Sequence, residues 1–162
     1  MRRRAAAILP ASLAAALLHA PFFLPAASAQ QVTLSATRNL DFGRFVAGSG
    51  GAIAVSAAGV RTKTGGVILL NSPSAGQAQF TVGSNGKAGN KSIVITLPAN
   101  GTIRLSNGTA NMAVNAFVDS PATLLSIPAG GTTLSVGATL TVAANQAPGT
   151  YSGSFPLIIN YQ

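Results

Sequence analysis

Residues 149–162 read GTYSGSFPLIINYQ, and they decide the fold more than any other stretch of this 162-residue sequence. Large apolar side chains occupy every second position of the second half, at Phe155, Leu157, Ile159 and Tyr161. Alternate side chains of an extended backbone point to the same face, so this spacing predicts a β-strand with one apolar face. The sequence ends one residue after the last aromatic, and we expect a neighbouring strand to complete this one.

The first 29 residues have the pattern of a secretory signal peptide. Three arginines at positions 2–4 precede a largely apolar stretch, and Ala27-Ser28-Ala29 forms an A-x-A cleavage site. Cleavage there leaves 133 residues, which suffice for one domain with its own core. We therefore predict an exported protein with no membrane span after cleavage.

The remaining sequence predicts an all-β domain. Period-two alternation begins with Val32, Leu34 and Ala36, and strands recur about every ten residues between Gly, Asn and Pro turns. Further strands are expected at residues 40–47, 52–57, 67–70, 77–83, 93–97, 102–106, 112–118 and 134–143, the last with a break at Gly137. This spacing is typical of a sandwich or barrel.

Tyr151 follows the Pro148-Gly149 bend and begins the last predicted strand. Two interpretations are open for its side chain. In immunoglobulin-like sandwiches a tyrosine at such a corner hydrogen-bonds to upstream backbone, which is called a tyrosine corner. The alternative is a half-buried aromatic that fills the edge of the sandwich.

The composition argues against an enzyme. Beyond residue 29 there is no histidine, cysteine or glutamate, and the only acids are Asp41 and Asp119. General acid–base catalysis, a histidine-activated nucleophile and a zinc site all need the missing groups. Both aspartates are predicted at strand ends or turns, where carboxylates bind local backbone. We expect no catalytic residue, no cofactor and no metal site.

The charge balance is basic. Residues 30–162 contain seven Lys and Arg residues and two acidic residues, which gives a net charge of +5. The basic residues are scattered near predicted loops and strand ends, a distribution that indicates solvated charge rather than a nucleic-acid patch. No nucleic-acid partner is expected.

Both ends of the chain resemble those of pilin subunits of chaperone–usher fimbriae. Gly149 is fourteenth from the end and Tyr161 is penultimate, the two places where these pilins have a glycine and an aromatic. Leu40-Asp41-Phe42-Gly43 and residues 136–140 and 148–153 also resemble an uncharacterised, pilin-like secreted family of Gram-negative bacteria, a "domain of unknown function" family. That resemblance covers nearly all of residues 31–162 and implies a fold rather than an activity.

The pilin resemblance implies an immunoglobulin-like (pilin-like) β-sandwich at residues 38–162 that lacks its final strand. A periplasmic chaperone would fill the open groove first. At an outer-membrane usher, the N-terminal extension of a neighbouring pilin-like subunit would then replace it by strand addition. Residues 30–37 would be the donor strand, through Val32, Leu34 and Ala36. The C-terminal assembly strand would contain Gly149, Phe155, Leu157, Ile159 and Tyr161.

The function implied is a non-enzymatic structural or adhesive subunit of a surface fimbria, present in the periplasm in transit and then at the cell surface. Two alternatives are open. Residues 31–37 could fold into their own domain, because the extension is short and Pro156 removes one backbone donor from the acceptor strand. The chain could also be a self-contained secreted or cell-surface binding module, for carbohydrate or adhesion.

Overall fold

The computed structural model describes residues 31–85, 92–124, 127–128 and 130–161, and the predicted signal peptide lies outside them. In the described part no helix is long and apolar enough to cross a membrane. Its regular elements are the strands β1 (Gln31–Arg38), β2 (Phe45–Val46), β3 (Gly51–Val55), β4 (Arg61–Gly65), β5 (Ile68–Leu69), β6 (Ala78–Asn85), β7 (Ile93–Thr96), β8 (Ile103–Ser106), β9 (Asn111–Ser120), β10 (Thr123–Leu124), β11 (Thr132–Val142) and β12 (Ile158–Tyr161).

The larger sheet is built around β11, the longest strand. One edge of β11 pairs with β6 and then with β3, and its other edge pairs with β9. β1 extends the sheet beyond β6, β4 extends it beyond β3, and β8 extends it beyond β9. All of these pairings are antiparallel. The strands β1, β4 and β8 are therefore the edges of this sheet.

The second layer consists of two separate pieces. One is the three-stranded sheet β10-β7-β12, and the other is the two-stranded sheet β2-β5. Each piece packs its inward side chains against a different buried cluster. Leu134 and Val136 of β11 belong to one cluster, and Ala138, Leu140 and Val142 belong to the other. These residues alternate along one strand, so both pieces cover the same face of the larger sheet.

The two clusters divide the core. The β2-β5 cluster has Phe42, Ile53, Val55, Val67, Met112, Val114, Ala138, Leu140 and Val142 as its buried members. The β10-β7-β12 cluster has Ala78, Val82, Ile93, Leu124, Ile127, Leu134 and Val136. Leu40 and Phe117 pack against both clusters while remaining partly exposed. The core is thus continuous. Its two clusters are covered by different pieces of the second layer, and they adjoin at Leu40 and Phe117.

The prediction of an all-β, immunoglobulin-like sandwich is confirmed. Several predicted strands are shorter than expected. Within residues 40–47 only β2 forms a ladder and Asp41 forms a single bridge to Gly76, and residues 67–70 form a ladder only at β5. β4 was not predicted, because its sequence RTKTG is polar and lacks apolar alternation. Polar side chains and a lysine are common on edge strands, where they oppose edge-to-edge aggregation.

Gly137 does not break β11, contrary to the sequence-based expectation. The strand is continuous, and instead the β9 ladder shifts register between Gly137 and Thr139. Gly137 lies where the partner of β11 changes from β6 to β3. A Cβ atom there would collide with the backbone at the end of β3, 2.6 Å from the carbonyl carbon of Ser56. Only glycine lets the end of β3 approach β11 so closely.

The substitution Gly137→Ala should lower the free energy of unfolding by about 2–3 kcal/mol, because the added methyl group meets rigid backbone. Gly130→Ala is the control, since a Cβ atom at Gly130 meets nothing within 4 Å. It should change stability by less than about 0.5 kcal/mol. Urea denaturation followed by circular dichroism measures both, and equal stabilities of the two variants would contradict this account of Gly137.

Candidate strand-binding cleft

A cleft of about 1430 Å³ opens between the two pieces of the second layer. One wall is formed by residues 38–48, which include β2, and the other wall by residues 145–155, which lead towards β12. The floor is the inner face of the larger sheet and is apolar, with contributions from Ala78, Phe80, Ile103, Leu105, Met112, Val114, Phe117 and Leu140. We refer to this feature as the cleft.

The C-terminal wall is an extended segment that crosses from one sheet to the other. Ser152 exchanges two backbone hydrogen bonds with Ser106 of β8, at 2.8 and 3.0 Å. Residues 158–161 then pair with β7 of the second layer. Between these points, residues 153–157 take part in no ladder or bridge with any described residue. Their backbone donors and acceptors are therefore available to an additional strand.

Side chains of this segment alternate as the sequence predicts. Phe155, Leu157 and Ile159 are half-buried and pack against the β10-β7-β12 cluster, whereas Pro156 and Ile158 are exposed. The Phe155 ring centroid lies 5.1 Å from that of Phe117 and 6.3 Å from that of Phe80. Pro156 lies in the part without a ladder, so its missing N–H removes no existing ladder bond.

Tyr151 fixes the start of this segment. Its hydroxyl donates a hydrogen bond to the carbonyl oxygen of Ala147 at 2.7 Å and accepts one from Nε2 of Gln146 at 2.9 Å. A tyrosine hydroxyl bound to backbone four residues upstream is the geometry of a tyrosine corner. Gly149, inside this turn, has φ +146°, and a Cβ atom there would lie 3.0 Å from Nδ2 of Asn107. Both features hold the bend that brings residues 150–155 to the cleft.

The opposite wall is held by polar side chains that bind backbone. Asp41 exchanges two backbone hydrogen bonds with Gly76, and its carboxylate accepts bonds from the Gly43 N–H at 2.7 Å and the Ser74 hydroxyl at 2.8 Å. Arg38 donates to the carbonyl oxygens of Ser74 and Ala75 at 3.0 and 3.2 Å. These bonds tie residues 38–43 to residues 74–76. Asp41 is thus a structural turn residue.

Arg61 connects this wall to β5. Its guanidinium donates to the carbonyl oxygen of Leu70 at 3.0 Å and to that of Arg44 at 2.7 Å. Burial lowers the pKa of Arg61, and the Asp41 carboxylate acts in the opposite direction. The guanidinium nevertheless stays cationic at physiological pH, because arginine is not deprotonated in proteins. The sequence did not predict this role, since an arginine that binds distant carbonyl groups has no local pattern.

The predicted donor residues lie on β1, and β1 pairs with β6 of the same chain. Val32 is half-buried against the β10-β7-β12 cluster, Leu34 is 38% exposed, and Ala36 is exposed and lines the cleft. Tyr161 pairs through its backbone with Ile93. The structure thus brings Gly149, Tyr151, Phe155 and Ala36 to the cleft, whereas Val32 and Leu34 do not line it.

The two aspartates lie on different elements of the fold. Asp41 is in the cleft wall, whereas Asp119 is on β9 opposite Val136. Among the described residues no group of three or more His, Cys, Asp or Glu side chains could hold a metal ion. What the cleft offers is apolar surface and unpaired backbone.

The hydrogen bonds of Tyr151 should stabilise the fold measurably. Tyr151→Phe removes both bonds and should lower the free energy of unfolding by about 1–2 kcal/mol, because each bond contributes about 0.5–1.5 kcal/mol. Ser154→Ala, at an exposed position of the same segment, should change it by less than about 0.5 kcal/mol. Chemical denaturation of both variants tests this, and an unchanged Tyr151→Phe stability would contradict a structural role for the hydroxyl.

Comparison with known proteins gives one result. No curated protein and no solved structure matches the chain significantly. Residues 32–161 match the family profile described as "Domain of unknown function (DUF4402)". The match begins inside β1 and ends with the last residue of β12, so it includes both walls of the cleft. The chain therefore belongs to the DUF4402 family.

Proposed function

We propose that the chain is a non-enzymatic structural or adhesive subunit of a bacterial surface fimbria, which accepts a β-strand from a neighbouring subunit in its cleft. The observation that carries this proposal is the unpaired, extended segment 153–157 beside an apolar floor. An incoming strand gains affinity from ladder hydrogen bonds to unpaired backbone and specificity from its alternate side chains.

The size of the cleft supports a strand over a small molecule. Sites for small ligands typically have volumes of about 300–1,000 Å³ and a few convergent polar groups. This cleft has about 1430 Å³, and the polar side chains Arg38, Asp41 and Arg61 in and behind its wall are bound to the chain's own backbone. They hold the cleft in shape and leave it lined mainly by apolar side chains and main chain.

A strand in the cleft would also complete the second layer. It would lie between β2 and the segment leading to β12, and so would join the two pieces β2-β5 and β10-β7-β12 into one sheet. The junction between the two core clusters, at Leu40 and Phe117, would then be covered. This gain in buried apolar surface is the driving force expected for assembly.

The donor that fits this proposal is β1 of another copy. Val32, Leu34 and Ala36 are apolar and alternate with polar residues, so one face can enter the cleft while the other remains in water. An open edge of this kind invites aggregation, so we further propose a periplasmic chaperone that covers the cleft before an outer-membrane usher assembles the subunits. These partners imply export to the periplasm and then to the cell surface.

A peptide of residues 31–38 should bind the mature chain, residues 30–162, with one-to-one stoichiometry. At a peptide concentration of about 100 times Kd, binding should add about 2.7 kcal/mol of stability and raise Tm by about 10 °C. The control is the same peptide with Asp at the positions of Val32, Leu34 and Ala36, which should not bind. Fluorescence anisotropy measures binding of each peptide, and thermal unfolding measures its effect on stability.

A stable monomer that responds to neither peptide nor chaperone would instead favour the self-contained binding module.

Two neighbouring residues on opposite faces of the C-terminal segment should differ in their effect on peptide binding. Phe155 lines the cleft, so Phe155→Ala should weaken binding about tenfold or more, which corresponds to about 1.4 kcal/mol. Ile158 is 52% exposed on the other face, so Ile158→Ala should change Kd less than about twofold. Titrations well below the Tm of each variant separate binding from stability, and equal affinities would argue against binding in the cleft.

A further inference from the structure

β1 is the one long strand of the larger sheet that lies at an edge. It pairs with β6 alone, whereas β6, β9 and β11 each have neighbours on both edges. Residues 33–37 are all exposed, and only Val32 is half-buried against a core cluster. A strand with one ladder and little buried side-chain surface opens locally more often than the core strands.

The C-terminal end of β1 is anchored by side-chain hydrogen bonds of Arg38 in addition to its ladder with β6. The β1–β6 ladder shifts register between Ala36 and Arg38, and the Arg38 guanidinium is bound to the carbonyl oxygens of Ser74 and Ala75. Asp41, three residues further, is bridged to Gly76. Residues 31–37 can therefore leave β6 while Arg38 stays in place. Seven extended residues span about 23 Å, at about 3.3 Å per residue.

We infer that the edge of β6 is a storage site for the donor strand: residues 31–37 of the free chain occupy it and must leave it before they enter the cleft of a second copy. This inference rests on the proposed function. Residues 31–37 cannot remain a strand on the edge of their own β6 and also lie in the cleft of another copy. Release of β1 therefore limits the rate at which a chain donates, and it exposes the edge of β6 as a second strand-binding surface.

A disulfide can lock this strand without changing the cleft. Ser35 and Thr81 are direct cross-strand partners, both exposed, and the chain contains no cysteine. Directly opposite residues have Cβ atoms about 4.5–5.5 Å apart, close enough for a disulfide after a small adjustment. The oxidised form of the double variant Ser35→Cys with Thr81→Cys is compared with its reduced form. Both samples carry the same two substitutions and differ only in the disulfide.

The oxidised variant should bind the peptide of residues 31–38 as the wild type does, because its cleft is unchanged. It should fail to donate its own β1, so oligomers of the mature chain at high concentration should fall at least tenfold by size-exclusion chromatography with light scattering. Reduction should restore them. Equal oligomerisation of both forms would overturn the storage site. Failure of every form to bind peptide would instead count against the proposed function.

Amide hydrogen exchange tests the storage site without any assembly. In the monomeric wild type, residues 32–36 should exchange at least tenfold faster than residues 78–82 of β6 that pair with β11, because β1 opens without unfolding of the core. Equal protection factors in the two strands would show that β1 does not open separately and would overturn the inference. This result does not depend on whether the cleft binds a strand.

Discussion

Burial of one face of the larger sheet beneath a second layer made of two separate pieces determines the rest of this structure. β11 carries an unbroken series of apolar side chains from Leu134 to Val142 on one face, and this face must be removed from water. The two pieces of the second layer bury this series from end to end, and the cleft opens between residues 38–48 and residues 145–155. The proposed strand binding takes place in this cleft, and the proposed release of β1 supplies the strand.

The cleft persists because its walls are fixed independently of any occupant. Tyr151 and Gly149 hold one wall through a tight bend, and Asp41, Arg38 and Arg61 hold the other through bonds to backbone carbonyl and amide groups. Such bonds are made within the domain and need no partner. A binding site that is already formed loses less conformational entropy when its ligand arrives, which favours affinity.

Alternation made the sandwich predictable. The pattern at Phe155, Leu157 and Ile159 predicted which side chains face inward, and the structure places them as expected. The sequence did not predict which residues form ladder hydrogen bonds. Alternation describes a single strand, whereas a ladder also depends on which strand lies next to it. Residues 153–157 have a strand-like sequence and no ladder, whereas the polar residues of β4 form a full ladder with β3. The bonds of Arg61 join residues 9 and 17 positions apart and leave no local signal.

Amide hydrogen exchange of residues 30–162, with and without the peptide of residues 31–38, measures whether residues 153–157 receive an incoming strand. In the free chain these amides have no ladder partner and should exchange rapidly. With saturating peptide, the amides of Phe155 and Leu157 should become protected at least tenfold, because alternate N–H groups of an extended segment point to the same edge. The amide of Ser154 points to the other edge, and Pro156 has no amide proton to report. Protection confined to β6, or absent altogether, would contradict the account.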